Sequence, residues 1–178
     1  PILKENKIDS LILEVISNNI QAIKSYEQSG YKKIRTLACY KGSFLPLEVN
    51  ESIEIKTLNQ YDWEVMESFW DITPTWQASK KVLNKLIETH VSYGAYEENK
   101  LVGYCIYNPI NNRIQHLAVA KNFRKDKIAS TLLSEISKIH GNTISIINID
   151  KSSIATNQFF KSIGLEKYLE QLEMKLKL

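Results

Sequence analysis

The feature that most constrains this sequence is a spacing. Gly30 and Gly164 lie 134 positions apart, and so do Tyr26 and Phe160. At that offset Ile12 falls on Ile146, Ile20 on Ile154 and Lys33 on Lys167, without a gap. Around each glycine the pattern reads strand, helix, glycine stop, strand. The apolar run Ser10 to Ile16 suits a buried strand. Asn18 or Asn19 can cap the helix that carries Ile20, Ile23 and Tyr26, and Gly30 ends it before a strand over Tyr31 to Tyr40. Near the other end, Thr143 to Ile149 reads as a strand, Ser153 to Ile163 as a helix and Leu165 to Leu178 as a closing strand. Few of the paired positions are identical, so the letters alone leave chance open. The shared order of elements favours duplication.

Between these segments lies the material of one larger unit. Lys41 to Ser52 (KGSFLPLEVNES) has no periodicity and reads as a linker. Ile53 and Ile55 alternate with charge as in a half-buried strand, and Asp62 to Trp70 suits a short helix. Thr73-Pro74 offers a cap and a first-turn proline for a helix that sets Val82, Leu83, Leu86 and Ile87 on one face. Val91 to Glu97 and Leu101 to Tyr107 flank a hairpin turn, and Arg113 to Ala120 is a further strand. Ile128, Leu132, Leu133, Ile136 and Ile139 form the stripe of an amphipathic helix stopped by Gly141. The domains expected are therefore residues 1–45, the closing part of a first unit; 46–52, a linker; and 53–178, a second and complete unit. On that register Pro1 falls on Glu135, inside the long helix of the second unit. The first unit is then expected to begin about 80 residues before Pro1.

Composition narrows the classes of function. The 178 residues carry a net charge of +3 and 43% hydrophobic residues, enough apolar material for one sizeable core. Lys and Arg are spread along the chain, with neither a basic stripe nor interleaved aromatics, so a nucleic-acid partner is not expected. Cys39 and Cys105 stand in no spaced motif, and no Cys/His cluster suggests a metal. No apolar run has membrane-spanning length, and a reducing cytoplasm is the compartment expected.

The segment AKNFRKDKIASTLL after the strand ending LAV resembles the acetyl-CoA segment of the GNAT superfamily of N-acetyltransferases, in which Arg or Gln opens a Gly-rich turn into a helix. The pattern Asn19, Ala22, Tyr26, Gly30 resembles that family's penultimate helix. DITPTWQAS (Asp71 to Ser79) and QLEM (Gln171 to Met174) resemble segments of a tandem subgroup. The resemblance implies an α/β fold: a mixed, mostly antiparallel sheet with helices on both faces, preceded by the C-terminal part of a second such unit. It implies acetyl transfer from acetyl-CoA to the amine of a small molecule or peptide, with no metal, and a homodimer is compatible with it. The turn Arg124, Lys125, Asp126, Lys127, Ile128, Ala129 and Ser130 would hold the pyrophosphate on free amides at a helix N-terminus. The alternative is a solvated basic turn. Backbone groups at Leu117, Ala118 and Val119 would hold the pantetheine and polarise the thioester.

Departures from the family pattern are as informative. Lys127 stands where the family usually has Gly, so its side chain crowds the phosphates, strains the backbone or adds a charge. Tyr26 holds the place of the family's usual acid in the first unit, whereas the second unit has Phe160 there, which has no proton to give. His116, the histidine near the cofactor strand, is the candidate base. For Tyr26 and His116 alike, a packing role is the competing reading. Trp63, Trp70 and Trp76 are expected to gather around the acceptor pocket or in the core. A degenerate, non-catalytic module is the second functional reading.

Overall fold

The computed structural model describes residues 8–178, so the expectation placed on Pro1 lies outside the described residues. The chain begins with β1 (Ser10–Ile16), α1 (Ile20–Gln28) and β2 (Lys32–Ser43). Next come β3 (Glu54–Thr57), α2 (Trp63–Glu67), α3 (Lys80–Leu86), β4 (Val91–Glu97), β5 (Lys100–Asn108) and β6 (Arg113–Val119). The last elements are α4 (Ile128–His140), β7 (Thr143–Asp150), α5 (Ile154–Ser162) and β8 (Glu166–Lys177). The strands form one sheet in the order β1-β8-β2-β7-β6-β5-β4-β3, in which only β6 and β7 run parallel.

Local chemistry sets the boundaries. The Asn19 side chain accepts from the Ala22 amide at 3.1 Å and opens α1. Gly30 at φ +90° and Gly164 at φ +97° end the two helices that precede β2 and β8, a conformation that carries no Cβ penalty for glycine. The bounds of α5 and β8 are those of α1 and β2 advanced by 134 residues at both ends.

The ungapped offset does not extend through the strands that precede these helices. Lys41 pairs with Ser145, and its counterpart Lys175 pairs with Ile12, so Ile12 corresponds in space to Ser145 rather than to Ile146. The cause is a bulge in β7. Pairing with β2 shifts between Ala38 and Tyr40, and Asn148 takes up the extra residue at φ +61°. Asn tolerates the left-handed region better than most residues.

The sheet carries a core on each face. Leu132, Leu133 and Ile136 of α4 pack with Phe160 and with Val102, Cys105 and Tyr107 of β5. On the other face Met66, Phe69 and Leu83, from α2, its C-terminal flank and α3, pack on Tyr104 and Ile106. The helix expected to start at Pro74 instead begins at Lys80. Residues 73–77 are bound elsewhere: the Thr73 carbonyl accepts from Arg35 at 2.7 Å, and Trp76 Nε1 donates to Glu14 at 2.9 Å.

The segment Leu45 to Ser52 forms no helix or strand, but it is docked. The Asn50 amide donates to Thr131 Oγ1 at 2.9 Å, and the Asn50 side chain donates to the Asp126 carbonyl at 3.1 Å.

Candidate active site

Strands β6 and β7 pair only at Arg113↔Ser145 and Ile114↔Ile146, and then diverge. The gap opens into a cleft of about 660 Å³ whose walls are Gln115 to Val119 on one side and Ile146 to Asp150 on the other. Helix α5 contributes Phe159 and Phe160, and the segment from Phe69 to Thr75 closes one end.

The free edge of β6 faces this gap. The Ala120 amide donates to the Val102 carbonyl of β5 at 2.8 Å. By alternation along the strand, the amides of Leu117 and Val119 point away from β5, where β7 has already left the ladder. The amide of Ala118 lies on the β5 side, so its own N–H is spent in the sheet.

At the other end of the cleft, the turn into α4 leaves a run of donors. The first backbone bond of the helix is Thr131 N–H to the Lys127 carbonyl, 2.9 Å. The six amides from Lys125 to Ser130 donate to no backbone or side-chain acceptor among the described residues. Lys125 (φ +70°) and Lys127 (φ +60°) both adopt the left-handed conformation. Lys127 thus takes a backbone usually left to glycine, while its ammonium reaches Glu48 at 2.7 Å. That pair is well exposed and contributes little to stability. Arg124 is committed to the protein itself: it binds Asp71 at 2.6 Å, the Phe69 carbonyl at 2.9 Å and the Val119 carbonyl at 3.3 Å. It fastens the segment after α2 to the end of β6.

His116 lines the cleft at the Trp70 end. Trp70 Nε1 donates to the Tyr104 hydroxyl at 2.5 Å, and that hydroxyl lies 2.9 Å from His116 Nδ1. An indole N–H can only donate, so the Tyr104 oxygen accepts from Trp70 and its own proton is free to be given to Nδ1. Burial pushes the His116 pKa down to about 4. The ring is therefore neutral at physiological pH and a weak base.

Of the residues singled out in the sequence, His116, Leu117, Ala118, Val119, Arg124, Lys125, Lys127, Ile128, Ala129 and Ser130 line one cleft. Asp126 sits just behind it, its carbonyl bound by Asn50. Tyr26 is not in this cleft. It stands half-exposed on α1, edge-on to Tyr31 at 5.7 Å. Phe160 is 1% exposed and stacks on Tyr40 at 6.1 Å between centroids. Trp63 and Trp70 meet edge-on at 6.1 Å between centroids and pack on the same core as Tyr104, with Trp70 lining the cleft, whereas Trp76 stands apart and reaches Glu14. Sequence reasoning gave no part to Arg35, Asp150 or Asn148, which line the cleft beside Thr73 and Thr75. Arg35 grips Glu173 of β8 through two nitrogens, at 2.5 and 3.2 Å. The QLEM segment carries that glutamate, and it was the available signal.

A family model described as Acetyltransferase (GNAT) family matches residues 56–165, more than half of the chain. The chain belongs to the GNAT family. No match was found among curated proteins. Solved structures resemble it throughout. A GCN5-related N-acetyltransferase from Sphaerobacter thermophilus, 16% identical, superposes with a TM-score of 0.70 over 99% of this chain and 64% of its own. A tandem GNAT protein from the clavulanic acid biosynthesis pathway, 13% identical, gives 0.67 over 99% of this chain and 66% of its own. An IAA acetyltransferase from Bacillus cereus, 14% identical, gives 0.53 over 71% of this chain and all of its own. This GNAT chain thus spans less than two thirds of the length of the first two. Among the described residues, no His, Cys, Asp and Glu side chains group to hold a metal, and no helix is long and apolar enough to cross a membrane.

Proposed function

We propose that this GNAT chain binds acetyl-CoA in the cleft between β6 and β7 and transfers the acetyl group to an amine. The observation that carries the reading is the run of six unpaired amides at the start of α4, opening onto a cleft bordered by the free amides of Leu117 and Val119. A diphosphate finds donors and the positive end of a helix dipole at the turn. Lys127 does not spoil the fit, because its backbone already takes the glycine-like conformation and its ammonium is drawn to Glu48.

Acetyl-CoA supplies an activated thioester. The protein positions it and stabilises charge: Leu117 and Val119 present donors toward the developing oxyanion, and the narrow cleft holds the acceptor in attack range. Phe160 cannot protonate the departing thiolate, and His116, weakly basic and with Nδ1 engaged by the Tyr104 hydroxyl, is ill suited to take the amine proton. These two features favour a second reading, a module that binds the cofactor with little turnover.

The same reading divides the chain into the closing part of a first GNAT-like unit (1–45), a connector (46–52) and a complete unit (53–178). In support, the helix and strand bounds Ile20–Gln28 and Lys32–Ser43 recur at Ile154–Ser162 and Glu166–Lys177, 134 residues on.

Calorimetric titration with acetyl-CoA tests binding. Saturable binding that Lys127→Gly retains or tightens, and that a bulky residue at Ala129 abolishes, is the expected result. Absence of binding in all three proteins rejects the cofactor assignment. Product formation across an amine panel then separates enzyme from module.

A further inference from the structure

The two edges of the sheet are built differently. Strand β3 is four residues long and carries a Glu54–Lys56 ion pair at 2.8 Å, the usual means of blunting an edge. Strand β1 is seven residues, SLILEVI, with neither proline nor lysine. Its inner edge is filled by β8, and among the described residues its outer edge meets no strand. The Leu178 amide donates to the Asp9 carbonyl and the Ser17 amide to the Glu170 carbonyl, so the odd-numbered residues face β8. By alternation, the amides of Ser10, Ile12, Glu14 and Ile16 point outward.

The other half of the chain shows what such an edge takes. Ser145 occupies in β7 the place of Ile12 in β1, and its amide donates to the Asn112 carbonyl at the start of β6, 2.9 Å. Beside that junction Ile144, Ile146 and Phe160 are buried, at 1, 4 and 1% exposed, in the core that α4 completes. Their counterparts Leu11, Leu13 and Tyr26 are all half-exposed, and Ile12 and Ile16 are 43% and 41% exposed. Identical architecture is thus sealed at one copy by a strand, a turn and a helix, and open at the other.

We infer that the outer edge of β1 and the adjoining face of α1 form a docking surface for the front part of another GNAT-like unit, a parallel strand followed by a turn and an amphipathic helix like residues 113–140. The β6 of a second copy does not supply that strand, because the end of β6 that would dock is already held between β5 and β7. The docked strand pairs at the Ile12 amide and then diverges from β1, as β6 does from β7. A second cleft opens there, with Tyr26 in the wall position that Phe160 holds in the first. The inference stands independently of what the first cleft binds.

The test joins a copy of residues 53–141 directly to Asp9 of the chain, the register that the Ile12–Ser145 correspondence dictates. Amide hydrogen exchange is read at Ile12 in the parent and in the extended protein. The expected result is fast exchange in the parent, and exchange slowed at least ~100-fold in the extended monomer, as for an interior strand. Exchange at Ile12 that is unchanged by the extension overturns the inference, whether or not the added copy is ordered. So does protection in the parent that grows with concentration, which would make a second copy the occupant. A second measurement needs no extension: Ile12→Thr and Ile16→Thr leave the parent's Tm within about 2 °C if this is an open docking face. A large drop in Tm places these residues in the chain's own core and removes the surface.

Discussion

Leu37 on β2 and Gln171 on β8 face each other in the sheet, and each is the other's counterpart at the 134-residue offset. A residue paired with its own counterpart marks a local two-fold axis, so here each half of the chain lends its long strand to the other. Strand β2 fills the space between β7 and β8, and β8 fills the space between β1 and β2. The Arg35–Glu173 pair locks the exchange, with the Glu173 side chain only 3% exposed. A chain lacking residues 1–45 loses β1 and β2 together. It leaves β7 without its antiparallel neighbour, β8 without a sheet and Glu173 without its cation. We expect that truncated chain to be unfolded or aggregated, as read by circular dichroism and sedimentation. A cooperative urea transition near the parent's midpoint would show the halves to be independent.

His116 makes stability depend on pH in a defined window. Its folded pKa of about 4 lies below the unfolded value of about 6.5, so the unfolded state binds the proton more tightly. As pH falls through 6.5 the unfolded chain begins to gain a proton that the folded chain refuses. Stability is lost down to about pH 4 and levels off below it. The gap between those two values sets an upper limit of ~3 kcal/mol. His116→Gln keeps an acceptor for the Tyr104 hydroxyl and does not titrate. The difference in urea stability between parent and variant should move against the parent between pH 6.5 and 4. A difference that stays flat with pH means the ring is solvated.

Much of the molecule was legible because it rests on local rules. Gly30 and Gly164 signal helix ends that no side chain favours, and the stripe from Ile128 to Ile136 packs on the sheet as the period requires, although Ile139, expected to continue it, is exposed. The candidate turn could be placed because a strand, a turn and a helix follow in order. What escaped notice depends on distant partners. Arg124 was expected in the turn and does line the cleft, but the tie of its guanidinium to Asp71, 53 positions earlier, was not foreseen. Pro74 suggested a helix start, yet with Thr73 held by Arg35 and Trp76 by Glu14 the segment makes only a single 3-10 turn, Trp76–Ala78, before the α-helix begins at Lys80. The bulge at Asn148 is invisible in an ungapped comparison, since one extra residue in a strand changes pairing without changing composition.

Gly103 sets how closely α4 can approach the sheet. A Cβ there would lie 2.7 Å from Ile128 Cγ2 and 3.3 Å from the Ala118 carbonyl oxygen. Ile128, the first residue of α4, is buried in the close-packed core, which leaves its side chain little room to turn aside. Gly103→Ala should cost about 1–3 kcal/mol through overpacking. It should also push the donor run at Lys125 to Ser130 away from β6, weakening acetyl-CoA binding more than about tenfold. Urea denaturation and calorimetry check the two effects separately. Loss of stability with unchanged affinity would show that the turn does not hold the cofactor.

Phe160 is where the chemistry can be tested most directly. Its ring lines the cleft from α5, behind it lies Tyr40, and the Tyr40 hydroxyl is already given to Asn157 at 2.7 Å. The cleft therefore has an aromatic of the right size at the place of the family's usual acid, without the proton. Phe160→Tyr adds one hydroxyl to a ring that lines the cleft and stacks on Tyr40. If the chain transfers acetyl groups with the thiolate drawing its proton from water, a positioned phenol should raise kcat by about 10²-fold and leave KM nearly unchanged. The added rate should also fall at high pH as the phenol ionises, which a purely structural change would not produce. Steady-state acetylation of an amine panel, run with both proteins across pH, gives the answer. Equal rates, or a gain without that pH signature, would mean that position 160 does not face the departing sulfur and that the cleft serves binding alone.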